Sequence, residues 1–182
     1  MPDQRVNILL AEEDSHLADM ITRCLQDILP ASVTHTPSVG VALREELTAR
    51  HHVVVASMSL PDADGLELVR ELRVTNRCPV ILMADNLSVE QTINAMRLGV
   101  TDLFCKPFDL HDLCQAVGRA ATHELKRRRA RIRYRRLRRL ASQIVRERRD
   151  LRQRMDLICQ DFVYAYRRLA QRVSESGLLT HD

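Results

Sequence analysis

With 182 residues, 45% of them hydrophobic and 29% charged, the chain can hold one core-bearing domain plus an extension. Its longest apolar runs, ILLA and VVVA, are far too short to span a bilayer, and the N-terminal MPDQRVN has no signal-peptide pattern, so a cytoplasmic protein without a membrane span is expected. The net charge of +4 conceals a division: residues 1–123 carry 10 basic and 17 acidic side chains, residues 124–182 carry 18 and 7, a split that points to two jobs.

Val6 to Ala11 reads as a buried first strand. Leu17, Met20, Ile21, Cys24, Leu25 and Ile28 then recur at helical spacing until Pro30, with Ser15 as the expected N-cap. Ala31 to Thr36 is a weak strand of edge character, and Pro37 and Ser38 open a second helix carrying Val41, Ala42 and Leu47. Val53, Val54 and Val55 begin a short β-branched strand that ends at Ser57. The loop SLPDADG follows, with Pro61 and Gly65 as turn residues, and then a helix over Leu66 to Val74. A fourth strand runs from Pro79 to Ala84. Ser88 caps a helix with Val89, Ile93, Met96 and Leu98 apolar, Gly99 ends it as a C′ glycine, and Thr101 to Cys105 is the fifth strand. Five strands alternating with helices over short loops imply one parallel sheet covered on both faces. The five cysteines lack C-x-x-C or zinc-ligand spacing and read as reduced thiols in a core. His16 beside Glu12, Glu13 and Asp14 reads as a solvated helix start, because neighbours on one turn seldom converge on one ion.

In open parallel sheets, ligand sites collect at the carboxyl ends of strands, which makes the loop after Ser57 the place to look for chemistry. Leu60, Pro61, Asp64 and Gly65 in that loop resemble the x-x-Leu/Met-Pro-x-x-Asp/Asn-Gly pattern of the receiver domain of two-component response regulators. The resemblance covers roughly Val6 to Ala121. It implies an α/β, flavodoxin-like, doubly wound five-stranded parallel sheet. It also places the acidic pair at Glu12 and Glu13, the phosphoacceptor position at Ser57, the fourth-strand hydroxyl position at Ala84, the aromatic switch position at Leu103 with Phe104 adjacent, and the receiver lysine at Lys106 before Pro107. Several of these depart from the family pattern. Aspartyl phosphorylation requires a carboxylate nucleophile, a divalent metal held by carboxylates and a hydroxyl for the transferred group. Ser57 supplies no anionic oxygen, Ala84 no hydroxyl, and Glu13 is a methylene longer than the usual aspartate. The expectation is a degenerate pseudo-receiver with no catalytic residue, no metal and no cofactor.

From Asp109, an expected N-cap, to Ser176 there is no proline and only one glycine, Gly118, so a single helix is expected. At about 1.5 Å per residue it would span roughly 100 Å, too long for one domain to cover its apolar stripe. Leu137, Leu140, Ile144 and Leu151 keep one heptad register. Met155, Ile158, Phe162 and Leu169 keep another, displaced by a four-residue stutter. These eight residues are the candidate dimer seam of a parallel coiled coil, with a helical hairpin within one chain as the alternative. Phe162, Tyr164 and Tyr166 lie together near its end and read as dimer core or as a surface for a partner.

The stretch Lys126 to Arg139 holds ten basic residues in fourteen: Lys126, Arg127, Arg128, Arg129, Arg131, Arg133, Arg135, Arg136, Arg138 and Arg139. No acidic residue lies between Glu124 and Glu147, so no intrahelical pairing is expected to neutralise the tract. Like charges at this spacing cost a helix about 0.2–0.5 kcal/mol per pair, which suggests an anionic partner. Nucleic acid contacted through its phosphates, an acidic protein or membrane surface, and a merely solvated coiled-coil face all remain open readings. The Asn-x-x-Ala-Ala pattern of basic zippers is absent, which argues against base-specific reading.

The resulting expectation has three parts: a receiver-like domain over 1–121, a basic helical extension over 122–176 continuous with the last receiver helix, and a tail over 177–182. The function expected is a phosphorylation-independent response-regulator-like signalling adaptor in a two-component or phosphorelay setting. It would be a homodimer with a protein partner and not an enzyme. The alternative is a nucleic-acid-binding regulator of transcription or antitermination that uses the arginine tract.

Overall fold

The computed structural model describes residues 5–177, with side chains described through residue 173. The expected tail, Gly177 apart, lies outside the described residues. Strands β1 (Val6–Ala11), β2 (Ala31–Thr36), β3 (Val53–Ser57), β4 (Val80–Ala84) and β5 (Asp102–Cys105) form one sheet in the order β2-β1-β3-β4-β5, with every pairing parallel. The helices between and after them are α1 (Ser15–Ile28), α2 (Val39–Thr48), α3 (Gly65–Thr75), α4 (Val89–Arg97) and α5 (Leu110–Gly177). This is the doubly wound, flavodoxin-like arrangement.

Strand residues alternate between two cores. Ile8, Leu10, Val53, Val55, Ile81 and Met83 pack against Ile21 and Leu25 of α1 and Leu113, Val117 and Ala121 of α5. Leu9, Val54, Ala56, Leu82 and Ala84 pack against Ala42 of α2, Leu68, Val69 and Leu72 of α3 and Ala95 of α4. Central strands covered on both sides are apolar along most of their length, so β3 as far as Ala56 and the whole of β4 read as continuous hydrophobic runs. Each large aliphatic side chain hidden in this way contributes about 1.5–3 kcal/mol relative to exposure.

Helix starts follow the capping chemistry, with one correction. Asp14, and not Ser15, caps α1: its Oδ1 accepts from His16 N at 2.9 Å and Leu17 N at 3.3 Å. A carboxylate satisfies two orphan amides and also meets the positive end of the helix dipole, which a hydroxyl does less well. Ser38 caps α2, Asp64 caps α3, and Ser88 with Gln91 forms a reciprocal capping box on α4. Gly99 takes a φ of 74°, the left-handed conformation that ends α4. The Lys106–Pro107 peptide is cis.

The expectation of five core thiols is corrected at two positions. Cys78 and Cys114 are buried and Cys24 is half-buried, whereas Cys105 at the end of an edge strand and Cys159 on the distal part of α5 are exposed. Burial pushes the Cys78 thiol up to about 12, so it stays protonated and inert.

The chain divides into two compact units, Met1–Arg129 and Ala130–Asp182. Contacts with the sheet domain continue past residue 121, since Leu125 packs on its core and Glu124 is buried in it. The second unit is helical to Gly177, and all its described side chains are exposed.

Candidate functional site

Four strand ends converge beside the loop that the sequence singled out. Ser57 closes β3 and is 1% exposed; Ala84 closes β4 and is equally buried. Glu12 follows β1 and Lys106 follows β5. Lys106 N donates to Ala84 O at 2.7 Å, and Glu12 N donates to Thr36 O at 3.0 Å, so each charged side chain is launched from a backbone pinned to a neighbouring strand. Lys106 Nζ then donates to Glu12 Oε2 at 3.0 Å, across the ends of β3 and β4. The other carboxylate oxygen, Glu12 Oε1, accepts from Asp14 N at 3.3 Å. His35 Nε2 lies 2.8 Å from Glu12 O, which makes Nε2 the protonated ring nitrogen.

This donor set does not suit a divalent cation. Hard cations take several oxygen ligands, preferably anionic. Glu12 has both carboxylate oxygens engaged, Glu13 and Asp14 are exposed, and position 57 offers a hydroxyl on a buried strand. Among the described residues no group of three or more His, Cys, Asp or Glu side chains is placed to hold a metal ion, His16 with its acidic neighbours included.

The loop after β3 is built around Gly65. A Cβ there would overlap Ser57 O and lie 3.0 Å from Met58 Cα, so only glycine lets α3 start this close to the strand. Gly65 N donates to Met58 O at 2.8 Å. In the same loop Asp62 reaches the start of α2, its two oxygens accepting from Val39 N and Gly40 N at 2.8 Å each. The hydrogen bond from Gly40 above all, and then that from Val39, holds the Asp62 carboxyl below the usual carboxylate range. Sequence reasoning missed this link, because its partners lie 22 and 23 residues apart.

Leu103, at the position the resemblance assigns to the aromatic switch, is half-buried against the α2–α4 core. Phe104 faces the opposite core and meets Phe108 edge-on, with ring centroids 6.0 Å apart. The aromatic side chain is therefore tied into packing next to α5.

The expectation that the basic tract has no intrahelical partner is corrected at its first members. Arg128 Nε donates to Glu124 Oε1 at 2.9 Å and its Nη2 donates to His51 O at 2.6 Å. Arg127 Nη2 donates to Arg77 O at 3.4 Å, and its Nε stands 3.7 Å from Glu124 Oε2. Glu124 lies just before the tract, at i−3 and i−4 spacing, so the pairing was within reach of the sequence. A second buried pair sits nearby: His51 Nδ1 lies 2.7 Å from Glu46 Oε2, and Asn76 Nδ2 donates to Glu46 Oε1 at 2.5 Å. Lys126, Arg131, Arg133, Arg135, Arg136, Arg138 and Arg139 are exposed, and Arg129 takes part in an interaction of its own.

Along the second unit Leu137, Leu140, Ile144, Leu151, Met155, Ile158, Phe162 and Leu169 are 49–76% exposed. Among the described residues no helix is long and apolar enough to cross a membrane.

Comparison with known proteins bears on the first unit. The family described as "Response regulator receiver domain" matches residues 8–118. Among curated proteins, the DNA-binding transcriptional regulator NtrC of Proteus hauseri is 28% identical over 123 residues, 66% of this chain and 25% of that protein. The regulatory protein AtoC of Escherichia coli K12 is 32% identical over 115 residues, 62% of this chain and 24% of its own. The KDP operon transcriptional regulatory protein KdpE of the same organism is 28% identical over 108 residues, 59% and 47% of the two chains. The matches thus span between a quarter and a half of these relatives. A CheY-like response regulator receiver domain from Methanospirillum hungatei JF-1 superposes with a TM-score of 0.64 at 18% identity, over 68% of this chain and 99% of that one, which speaks for the fold.

Proposed function

The chain belongs to the response regulator receiver family, and on that premise we propose that it is a phosphorylation-independent signalling protein that acts through contacts and not as an enzyme. In this reading a receiver-like portion over 1–121 presents one fixed surface to a protein partner, and the extension over 122–176 pairs two chains. The observation that carries it is that the buried Ser57 ends β3, where the resemblance puts the acceptor aspartate, while Glu12 is held by Asp14 N and Lys106. A serine hydroxyl cannot form the acyl phosphate that an aspartate forms, and a carboxylate already engaged at both oxygens is a poor metal ligand. Incubation with acetyl phosphate and Mg²⁺ followed by intact mass measurement tests this. No adduct is expected; a gain of about 80 Da per chain would overturn the reading.

Dimerisation rests on the eight exposed seam residues, an apolar stripe that a lone helix has no reason to keep in water. Sedimentation should give a dimer for the intact chain and a monomer for Ile144→Glu/Ile158→Glu. A monomeric intact chain would sink this part.

A second reading has its own observation. The exposed arginines between 131 and 139 lack a carboxylate within one helical turn, and the relatives' names include "DNA-binding transcriptional regulator" and "transcriptional regulatory protein". A regulator that grips nucleic acid phosphates would bind duplex DNA or RNA with a steep salt dependence. Titration at two salt concentrations decides: no binding at the lower one removes this reading.

A further inference from the structure

At the amino ends of β4 and β5, the end of the sheet opposite Ser57, there is a cavity of about 450 Å³ within the first unit. That is the size of a small-molecule site. Arg73, Arg77, Arg119, His123 and Arg127 line it, with a single carboxylate, Asp102. Arg73 is committed to the fold, donating to Leu98 O at 2.8 Å, to Cys78 O at 3.0 Å and to Gly99 O. Arg127 is braced by Arg77 O and lies near Glu124. The side chains of Arg77, Arg119 and His123 have no hydrogen bond or ion pair among the described residues, and all three are exposed. At the back of the cavity burial above all holds the Arg73 guanidinium below its ordinary range, and the charges of Arg127 and Arg77 act in the same direction.

Four guanidinium groups around one concavity repel each other unless an anion lies between them. Their planar forks match the oxygens of a phosphoryl group. We propose that this cavity binds a small phosphorylated metabolite, its phosphoryl group held by Arg77, Arg119 and Arg127, with Asp102 accepting from a ligand hydroxyl. The lone carboxylate favours a ligand that brings hydroxyl donors as well as phosphate. The cavity's concave shape favours a compact ligand over an extended polynucleotide backbone. The site would give a receiver without an acceptor aspartate a chemical input at its other end, next to the point where α5 leaves the sheet domain.

The test is calorimetric titration of the full chain with ribose 5-phosphate at fixed ionic strength. Saturable binding with one site per chain is expected, weakened roughly tenfold or more in Arg77→Ala/Arg119→Ala. It should be unchanged in Arg135→Ala/Arg138→Ala, which removes charge from the tract alone. Both altered pairs are exposed, so far-UV circular dichroism should match the parent. The proposal is overturned if no saturable heat appears, or if the tract variant weakens binding as much as the cavity variant. It is equally overturned if a short duplex DNA displaces ribose 5-phosphate and loses its own affinity in Arg77→Ala/Arg119→Ala, which would assign the surface to nucleic acid.

Discussion

Lys106 Nζ stands 3.0 Å from Glu12 Oε2 and bridges the ends of the two strands that flank β3 and β4. The Glu12 side chain is 4% exposed and that of Lys106 19%, so the pair is largely withdrawn from water. The residue that the resemblance identifies as the receiver lysine is here the counter-ion of a buried glutamate. That gives the residue a structural task independent of phosphate.

Removing the lysine should therefore cost stability. Lys106→Met leaves the Glu12 carboxylate buried with only Asp14 N as partner, and a loss of about 1–3 kcal/mol is expected once the partial exposure of Lys106 is discounted. The double variant Glu12→Gln/Lys106→Met should be more stable than Lys106→Met alone. Urea denaturation measures both. A single variant as stable as the parent would show that the pair holds nothing.

Gly65 gives a sharper steric test. In Gly65→Ala the new Cβ meets Ser57 O and Met58 Cα, both backbone atoms in the core of the loop. Overpacking of this kind costs about 1–3 kcal/mol, so the urea midpoint should fall with little change in slope. An unshifted midpoint would mean that α3 can slide away from β3 without penalty.

Arg127 and Arg128 should separate in their effects. Glu124 is 3% exposed, and its Oε2 has no hydrogen-bond partner among the described residues, so Arg128 carries most of its compensation. Arg128→Ala should destabilise by about 1–3 kcal/mol, and adding Glu124→Gln should restore part of that. Arg127→Ala, whose Nε is 3.7 Å from the carboxylate, should cost under about 1 kcal/mol. Equal losses would contradict the geometry.

Acid should weaken the fold in two stages. Burial alone would raise the Glu46 pKa, but hydrogen bonds from His51 and Asn76 outweigh it and hold the group below its ordinary 4.5. Burial first, and next the Arg128 charge, hold His52 below its ordinary 6.5. Both groups bind fewer protons folded than unfolded, so their stability is present above the unfolded values and lost as pH falls through the folded ones. The urea midpoint should decline first below pH 6.5 and again below pH 4.5. His52→Gln should abolish the upper decline and keep the lower; an unchanged upper slope would assign it elsewhere.

The sheet domain was readable in the chain because its signals are local. β-branched runs, helical periodicity and Ser or Gly at helix ends each act over a few residues, and a parallel sheet makes central strands nearly continuous apolar runs. The misreadings share one cause. Whether Asp14 or Ser15 caps α1 depends on which side chain reaches two amides, and whether Cys105 is buried depends on β5 lying at the sheet edge. The Asp62 link to α2 and the Glu46–His51–Asn76 cluster join segments whose proximity exists only once α2, β3 and α3 have packed.

Residue identity alone decided that no acyl phosphate can form at position 57, since a hydroxymethyl group has no carboxylate oxygen whatever surrounds it. It also decided that an apolar stripe and an arginine tract share one long helix. Where the charges go was settled only by the folded chain. Glu12 is spent on Lys106, and the arginines of α3, its following loop and α5 meet around one cavity. Those residues are distant in sequence, and parallel strands with helical crossovers bring them together only after the sheet has formed.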